Sequence, residues 1–146
     1  MTSRPVRTAA ALLTASLAVV HVYWAAGGRA GWATALPQND EGSPLFRPTP
    51  AATLVVAGGL AGMSAAALHA DDARTRWPLR LTALAFLLRT IGDGRRVGLT
   101  RHARNTPFAR NDARLYTPLC SLLAVMYGTL ALGVKDAARQ SRAPTA

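Results

Sequence analysis

Two uncharged runs constrain this chain more than any other feature. Residues 8–20 pass without one charged side chain, and residues 119–134 repeat the pattern. A helix in water needs polar groups on its outward stripe every third or fourth position, so neither run fits a soluble amphipathic helix. Two further apolar stretches, 51–70 and 77–91, complete a set of four. The expectation is an all-α integral membrane four-helix bundle, with spans at about 8–26, 51–70, 77–91 and 116–134. The 146 residues leave room for one membrane domain and no separate soluble one, because four spans of about 20 residues consume roughly 80.

The net charge of +10 invites a nucleic-acid reading. Arginine-rich connections explain it better, since membrane proteins carry basic residues there to set orientation and to grip anionic head groups. No nucleic-acid partner is therefore expected; membrane lipids are. Cys120 stands alone, which excludes an internal disulfide and a multi-cysteine metal site, and reads as a packing residue. Arg4 and Arg7 before an apolar run resemble a secretory signal. The run 8–26 is longer than a usual signal core, however, and Tyr23-Trp24 suits an interfacial belt, so a retained helix is expected.

The third span is the anomalous one. Its uncharged core, 81–88, is bracketed by Arg80 and Arg89, nine positions apart. That is about 13 Å along a helix, against roughly 30 Å of hydrocarbon. Arg89 is consequently the most costly residue to place, at about 2.5–3.5 kcal/mol at mid-depth. A peripheral third helix beside three spans is the alternative to four. In the second span Gly58, Gly62 and Ala66 place small residues on one face, a route to close helix packing or to a homo-oligomer. The tail 136–146 is expected to be disordered.

The connection 71–76 is short, whereas 27–50 and 92–115 are long and, with four spans, emerge together on one membrane face. One face is plain and the other elaborate, which points to a site on the latter. Basic residues divide eight to each side, so the positive-inside rule gives a tie; the N-terminal pair points to a cytoplasmic N-terminus.

The polar residues on the elaborate face are the candidates. His21 reads either as a functional ionisable group or as a neutral ring bonded to a nearby carbonyl. Arg89 needs a partner or a ligand: Asp93, one turn later, can pair with it, although an acid preceding the base is the better order on a helix. Gly92 and Gly94 can break the chain there and free amides near Arg89, Arg95 and Arg96, giving an anion pocket; a salt bridge closing the helix end is the plainer reading. Asp112 is expected to cap the last span, with a contact to an arginine of the 89–96 segment as the second option. His69 lies at the opposite face from His21, and His102 has no spaced partner, so no metal or cofactor site is expected. No nucleophile elbow, P-loop, HExxH or dinucleotide fingerprint occurs, which leans against an enzyme.

The ordered set His21-x-x-Trp24-x-x-Gly27-Gly28, Leu36-Pro37, Arg89-x-x-Gly92-Asp93, Gly98, Phe108-Ala109-x-x-Asp112 and Tyr116-x-Pro118-Leu119-Cys120 resembles a family of small bacterial proteins with four predicted membrane helices, domain of unknown function 3995. The resemblance covers nearly the whole chain and implies a four-span membrane fold, without activity or cofactor. Gly94-Arg95-Arg96 departs from it, standing where relatives tend to carry an aromatic.

These readings combine into a multi-pass protein of the bacterial cytoplasmic membrane. Its ligand-binding residues are expected to be His21, Trp24, Arg89, Asp93, Asp112 and Tyr116, gathered in one polar site for a small anionic group or lipid head group. Arg89 neutralises the charge, His21 and Tyr116 donate hydrogen bonds, and the aspartates orient the arginines. The alternatives are a membrane-embedded enzyme on a lipid or quinone-like substrate, with His21 as general base oriented by Asp112, and an oligomeric small transporter.

Overall fold

The computed structural model describes residues 4–39, 41–102 and 105–140, with backbone alone for 134–140. Four long helices dominate: α1 (Arg4–Ala25), α3 (Pro50–Leu68), α4 (Arg76–Ile91) and α6 (Thr117–Gln140). Two short ones, α2 (Trp32–Ala35) and α5 (Pro107–Asn111), sit in the long connections. Helix α1 pairs with α3 and α4 with α6, and the two pairs close on each other through α1–α6 and α3–α4 contacts. The only extended pairing among the described residues is an isolated bridge, Gln38 to Pro44.

The bundle is apolar on its outside. Val19, Val55, Leu81, Leu88, Val125 and Leu132 face outward. The interior mixes a few large apolar groups, Leu79, Leu123 and Leu130, with many small and polar side chains: Ala10, Ala11, Ala57, Ala67, Thr14, Ser64, Thr82 and the hydroxyl-bearing Tyr127. Water would reverse that distribution; hydrocarbon favours it, because lipid offers large apolar groups a solvent as good as any core. The buried hydroxyls are bonded. Thr14 Oγ1 lies 2.9 Å from the Ala10 carbonyl and 3.0 Å from the Tyr127 hydroxyl, which links α1 to α6. Ser64 donates to the Ala11 carbonyl at 2.9 Å, linking α3 to α1.

Three helical segments are long and apolar enough to cross a membrane: Arg4–Ala25, Pro50–Leu68 and Pro107–Gly133. Helix α4 is not among them. Its 16 residues include Arg76, Arg80 and Arg89, and at 1.5 Å per residue it reaches about 24 Å. It is no peripheral helix, however. Leu79 is fully buried in the core, Phe86 packs on Tyr127 at 6.0 Å, and Ser121 of α6 donates to Thr90. At its other end Arg76 and Arg80 lie over the Trp77 ring, 5.9 and 5.3 Å from its centre, an arrangement suited to a membrane interface.

Local chemistry sets the helix ends. Thr49 caps α3 by accepting from the Ala52 amide, with Pro50 in the first turn where its missing N–H is harmless. Thr106 and Pro107 repeat the device at α5. Residues Asp112–Tyr116 then form a π-helical turn, in which the Thr117 amide reaches back to the Asp112 carbonyl. Pro118 accounts for it: with no N–H for the Arg114 carbonyl, and a ring that crowds that carbonyl, the helix widens by one residue rather than breaking. The last apolar helix consequently begins earlier than the expected residue 116, and α6 continues to Gln140, into the segment expected to be disordered. The remaining tail, 141–146, lies outside the described residues.

The small-residue stripe of α3 is divided. Ala66 is buried in the core, whereas Gly58 and Gly62 face outward with nothing within 4 Å of where a Cβ would stand. Contact with α1 uses the neighbouring face, Thr53, Ala57, Leu60, Ser64 and Ala67.

Candidate functional site

The two long connections interlock on one end of the bundle. Buried Gln38, in the first, donates to the Ala33 carbonyl and accepts from the Phe108 amide, in the second, at 3.2 Å. Tyr116 donates to the Thr34 carbonyl at 3.3 Å and stacks obliquely on Phe108 at 6.2 Å.

Beneath them lies Asp112, with no exposed surface. Its Oδ1 accepts from Arg89 Nη2 at 2.5 Å. Its Oδ2 accepts from the Gly98 amide at 2.9 Å and the Thr117 hydroxyl at 3.1 Å, with Arg101 Nη1 at 3.5 Å. A buried carboxylate is tolerated only when paired and hydrogen-bonded, and this one has both. The sequence expectation that Asp112 serves mainly as a cap is therefore corrected. It joins α4, the 92–101 loop and α6, because the π-turn puts its side chain at the level of the Arg89 head.

Of the two carboxylates that the sequence places within reach of Arg89, Asp112 meets it and Asp93 is used otherwise. Its Oδ1 accepts from the amides of Arg95, Arg96 and Val97 at 2.7–3.0 Å. Slight desolvation opposes ionisation, but these amides together with its own outweigh it and hold the carboxyl at about 2. The amides that a break at Gly92 and Gly94 was expected to offer an external anion are thus occupied by the chain's own carboxylate. The Gly94 amide goes to Thr100 Oγ1, and the loop returns to α4 through Leu99 and Thr100 amides on the Thr90 and Ile91 carbonyls. Glycine is required where the loop crosses itself: a Cβ on Gly92 would stand 1.8 Å from the Val97 carbonyl oxygen, and one on Gly98 2.5 Å from the Gly92 Cα, both at positive φ.

His21 and Trp24 belong to a different place. His21 Nδ1 lies 2.8 Å from the Leu17 carbonyl, and its ring meets Trp24 edge-on at 5.1 Å. A carbonyl only accepts, so Nδ1 carries the proton and the Leu17 backbone, not Asp112, orients the ring; the expected His21–Asp112 dyad is absent. Trp24 donates to the Ala30 carbonyl at 2.8 Å and packs edge-on against Trp32 at 5.7 Å. The six expected residues therefore share one end of the bundle without forming one pocket. Arg89 and Asp112 are joined, Asp93 closes its own loop, His21 and Trp24 line a crevice between α1 and α3, and Tyr116 bridges the connections.

In the sequence the run 95–110 reads as interfacial docking, its arginines reaching phosphates, and not as a crevice. Arg101, Arg110 and Arg114 line a crevice of about 430 Å³ with Leu99, Ala109 and Ala113. Their spacing was legible, Arg110 and Arg114 being one helical turn apart, but Arg101 joins them only through tertiary folding. Gln38 and Trp32 carried no periodic signal at all. At the far end of the bundle Arg7 pairs with Asp71 through two hydrogen bonds, which lower the Asp71 carboxyl below its usual value.

The profile of a family described as a protein of unknown function (DUF3995) matches residues 14–127, a stretch that holds both the Asp112 cluster and the His21 crevice. No curated protein and no solved structure matches the chain.

Proposed function

The chain belongs to the DUF3995 family, and from that premise we propose that it is a multi-pass protein of the bacterial cytoplasmic membrane that binds an anionic lipid head group on its loop face. The observation that supports this reading is the crevice of Arg101, Arg110 and Arg114, which no acidic residue lines among the described residues. Arg101 is held in place by the Gly98 carbonyl at 2.6 Å and by Asp112. Asp112 is already shared between Arg89 and Arg101, so the guanidinium groups around this opening keep an excess of positive charge that favours an anion, and planar forks suit phosphate oxygens. The crevice stands at the start of the apolar segment Pro107–Gly133, and the ends of membrane-crossing segments are where head groups meet a protein.

Arg89, the residue first expected to bind the anion, instead anchors the site from below by neutralising Asp112. Helix α3 offers a second copy a close approach at Gly58 and Gly62, so a homo-oligomer is part of the same reading.

The test is retention of lipid. The full chain is purified from a membrane of mixed phosphatidylglycerol and phosphatidylethanolamine, and bound lipids are weighed by native mass spectrometry. We expect retained phosphatidylglycerol, lost at least about tenfold when Arg110 and Arg114 are both replaced by Gln. Equal retention of both lipids, or no effect of the double replacement, overturns the reading.

A further inference from the structure

A second crevice, lined by His21, Trp24, Trp32, Phe46, Ala52 and Val56 among others, lies between α1, α2 and α3 and encloses about 370 Å³. That volume falls in the range of small-molecule sites, which are mostly apolar with a few placed polar groups. We propose that it binds the phenolic head group of a neutral amphiphile, whose hydroxyl donates to Nε2 of His21.

The tautomer of His21 carries the argument. With the Nδ1 proton committed to the Leu17 carbonyl at 2.8 Å, the neutral ring keeps its lone pair on Nε2. Among the described residues none donates to that nitrogen, so the crevice presents an unused acceptor. Its other walls leave little competition. Trp24 has already given its indole N–H to Ala30, and Thr53 its hydroxyl to Thr49, at 3.0 Å. What remains is aromatic and aliphatic surface suited to a ring. A phenol, with an ordinary pKa near ~10, donates to imidazole more strongly than an alkyl alcohol does.

Charge argues for a neutral occupant. Among the described residues no Asp, Glu, Lys or Arg lines this crevice. Arg29 and Arg47 line the adjoining cavity, with Trp24 and Trp32 as the shared wall. A cation is disfavoured by those arginines, and an anion finds no donor within the crevice. The tail has an exit: Ala52 and Val56 are exposed, and Val55 beside them is 75% exposed on the outward face of α3, where an apolar chain meets lipid.

The test uses the full chain in phosphatidylcholine nanodiscs, in a Trp77→Phe background where emission comes from Trp24 and Trp32 alone. The probes are decylhydroquinone and its dimethyl ether, which has the same ring and tail but no donor. Saturable quenching is expected, with the hydroquinone at least about tenfold tighter. His21→Phe should remove that preference and His21→Gln, which restores an acceptor, should recover part of it. Val56→Phe, which fills the crevice, should weaken both probes. Equal binding of the two probes to the Trp77→Phe protein overturns the proposal whatever the His21 variants do, and so does a preference that survives His21→Phe. This site shares no lining residue with the arginine crevice, so failure of either test leaves the other standing.

Discussion

Arg89 of α4 meets Asp112 at 2.5 Å across 23 positions of sequence, and the carboxylate it meets is wholly buried. That contact ties the one long helix too short and too charged to span hydrocarbon alone to the helix that begins with a π-turn. Arg89 is about a third exposed, so Asp112→Asn leaves a charge that solvent can reach, whereas Arg89→Met leaves the wholly buried Asp112 carboxylate without its nearest partner. We therefore expect Arg89→Met to destabilise the protein by about 3–5 kcal/mol, read as a shifted unfolding transition in detergent, and Asp112→Asn by less. The double variant Arg89→Met/Asp112→Asn removes the stranded carboxylate as well and should recover part of the loss. Additive effects of the two changes would show that the pair is not coupled.

The 92–101 loop should respond to acid. The folded state holds the Asp93 carboxyl at about 2, below its unfolded value near ~3.9. A depressed folded value means that the contribution to stability is fully present above the unfolded pKa and is lost as pH falls through the folded one. Exchange of the Arg95, Arg96 and Val97 amides should accordingly accelerate between about pH 4 and pH 2, beyond the intrinsic pH dependence. Asp93→Ala should exchange fast throughout.

Backbone crowding gives a sharper outcome. Gly98→Ala puts a methyl 2.5 Å from the Gly92 Cα at a φ of +76°, and neither backbone can yield without opening the loop. Trypsin should then cut at Arg95, Arg96 or Arg101 much faster than in the parent, with the helices still intact by circular dichroism. Unchanged cleavage would mean that the crossing is not tight.

In the bundle core, Tyr127→Phe removes the hydroxyl that meets Thr14 at 3.0 Å. Hydrogen bonds between helices in membranes average about 0.6 kcal/mol and reach about 1.7. A loss within that range is expected in unfolding assays. A much larger one would indicate that the Thr14–Tyr127 contact organises more than α1 against α6.

Gly62→Leu fills the outward small-residue face of α3 without touching the core. The homo-oligomer proposed above should then be lost from cross-linking in membranes, while the monomer keeps its melting behaviour; unchanged cross-linking would remove this face from the proposal.

Residues 8–20 and 119–134 needed no structure to reveal their solvent, because an uncharged run has only one environment in which every side can be exposed. The even number of long helices between the two long connections likewise put both on one face, and the cost of Arg89 in hydrocarbon demanded a partner. Which partner it took was decided elsewhere. Asp93 is the nearer carboxylate in sequence, but a tight turn delivers three amides to it first. Asp112 is swung into reach by the widened turn that Pro118 forces. The same holds for the arginine crevice and for the free nitrogen of His21. Periodicity records which side of a helix is apolar, whereas a site depends on which distant backbone donors and acceptors arrive first, and only the folded chain sets that.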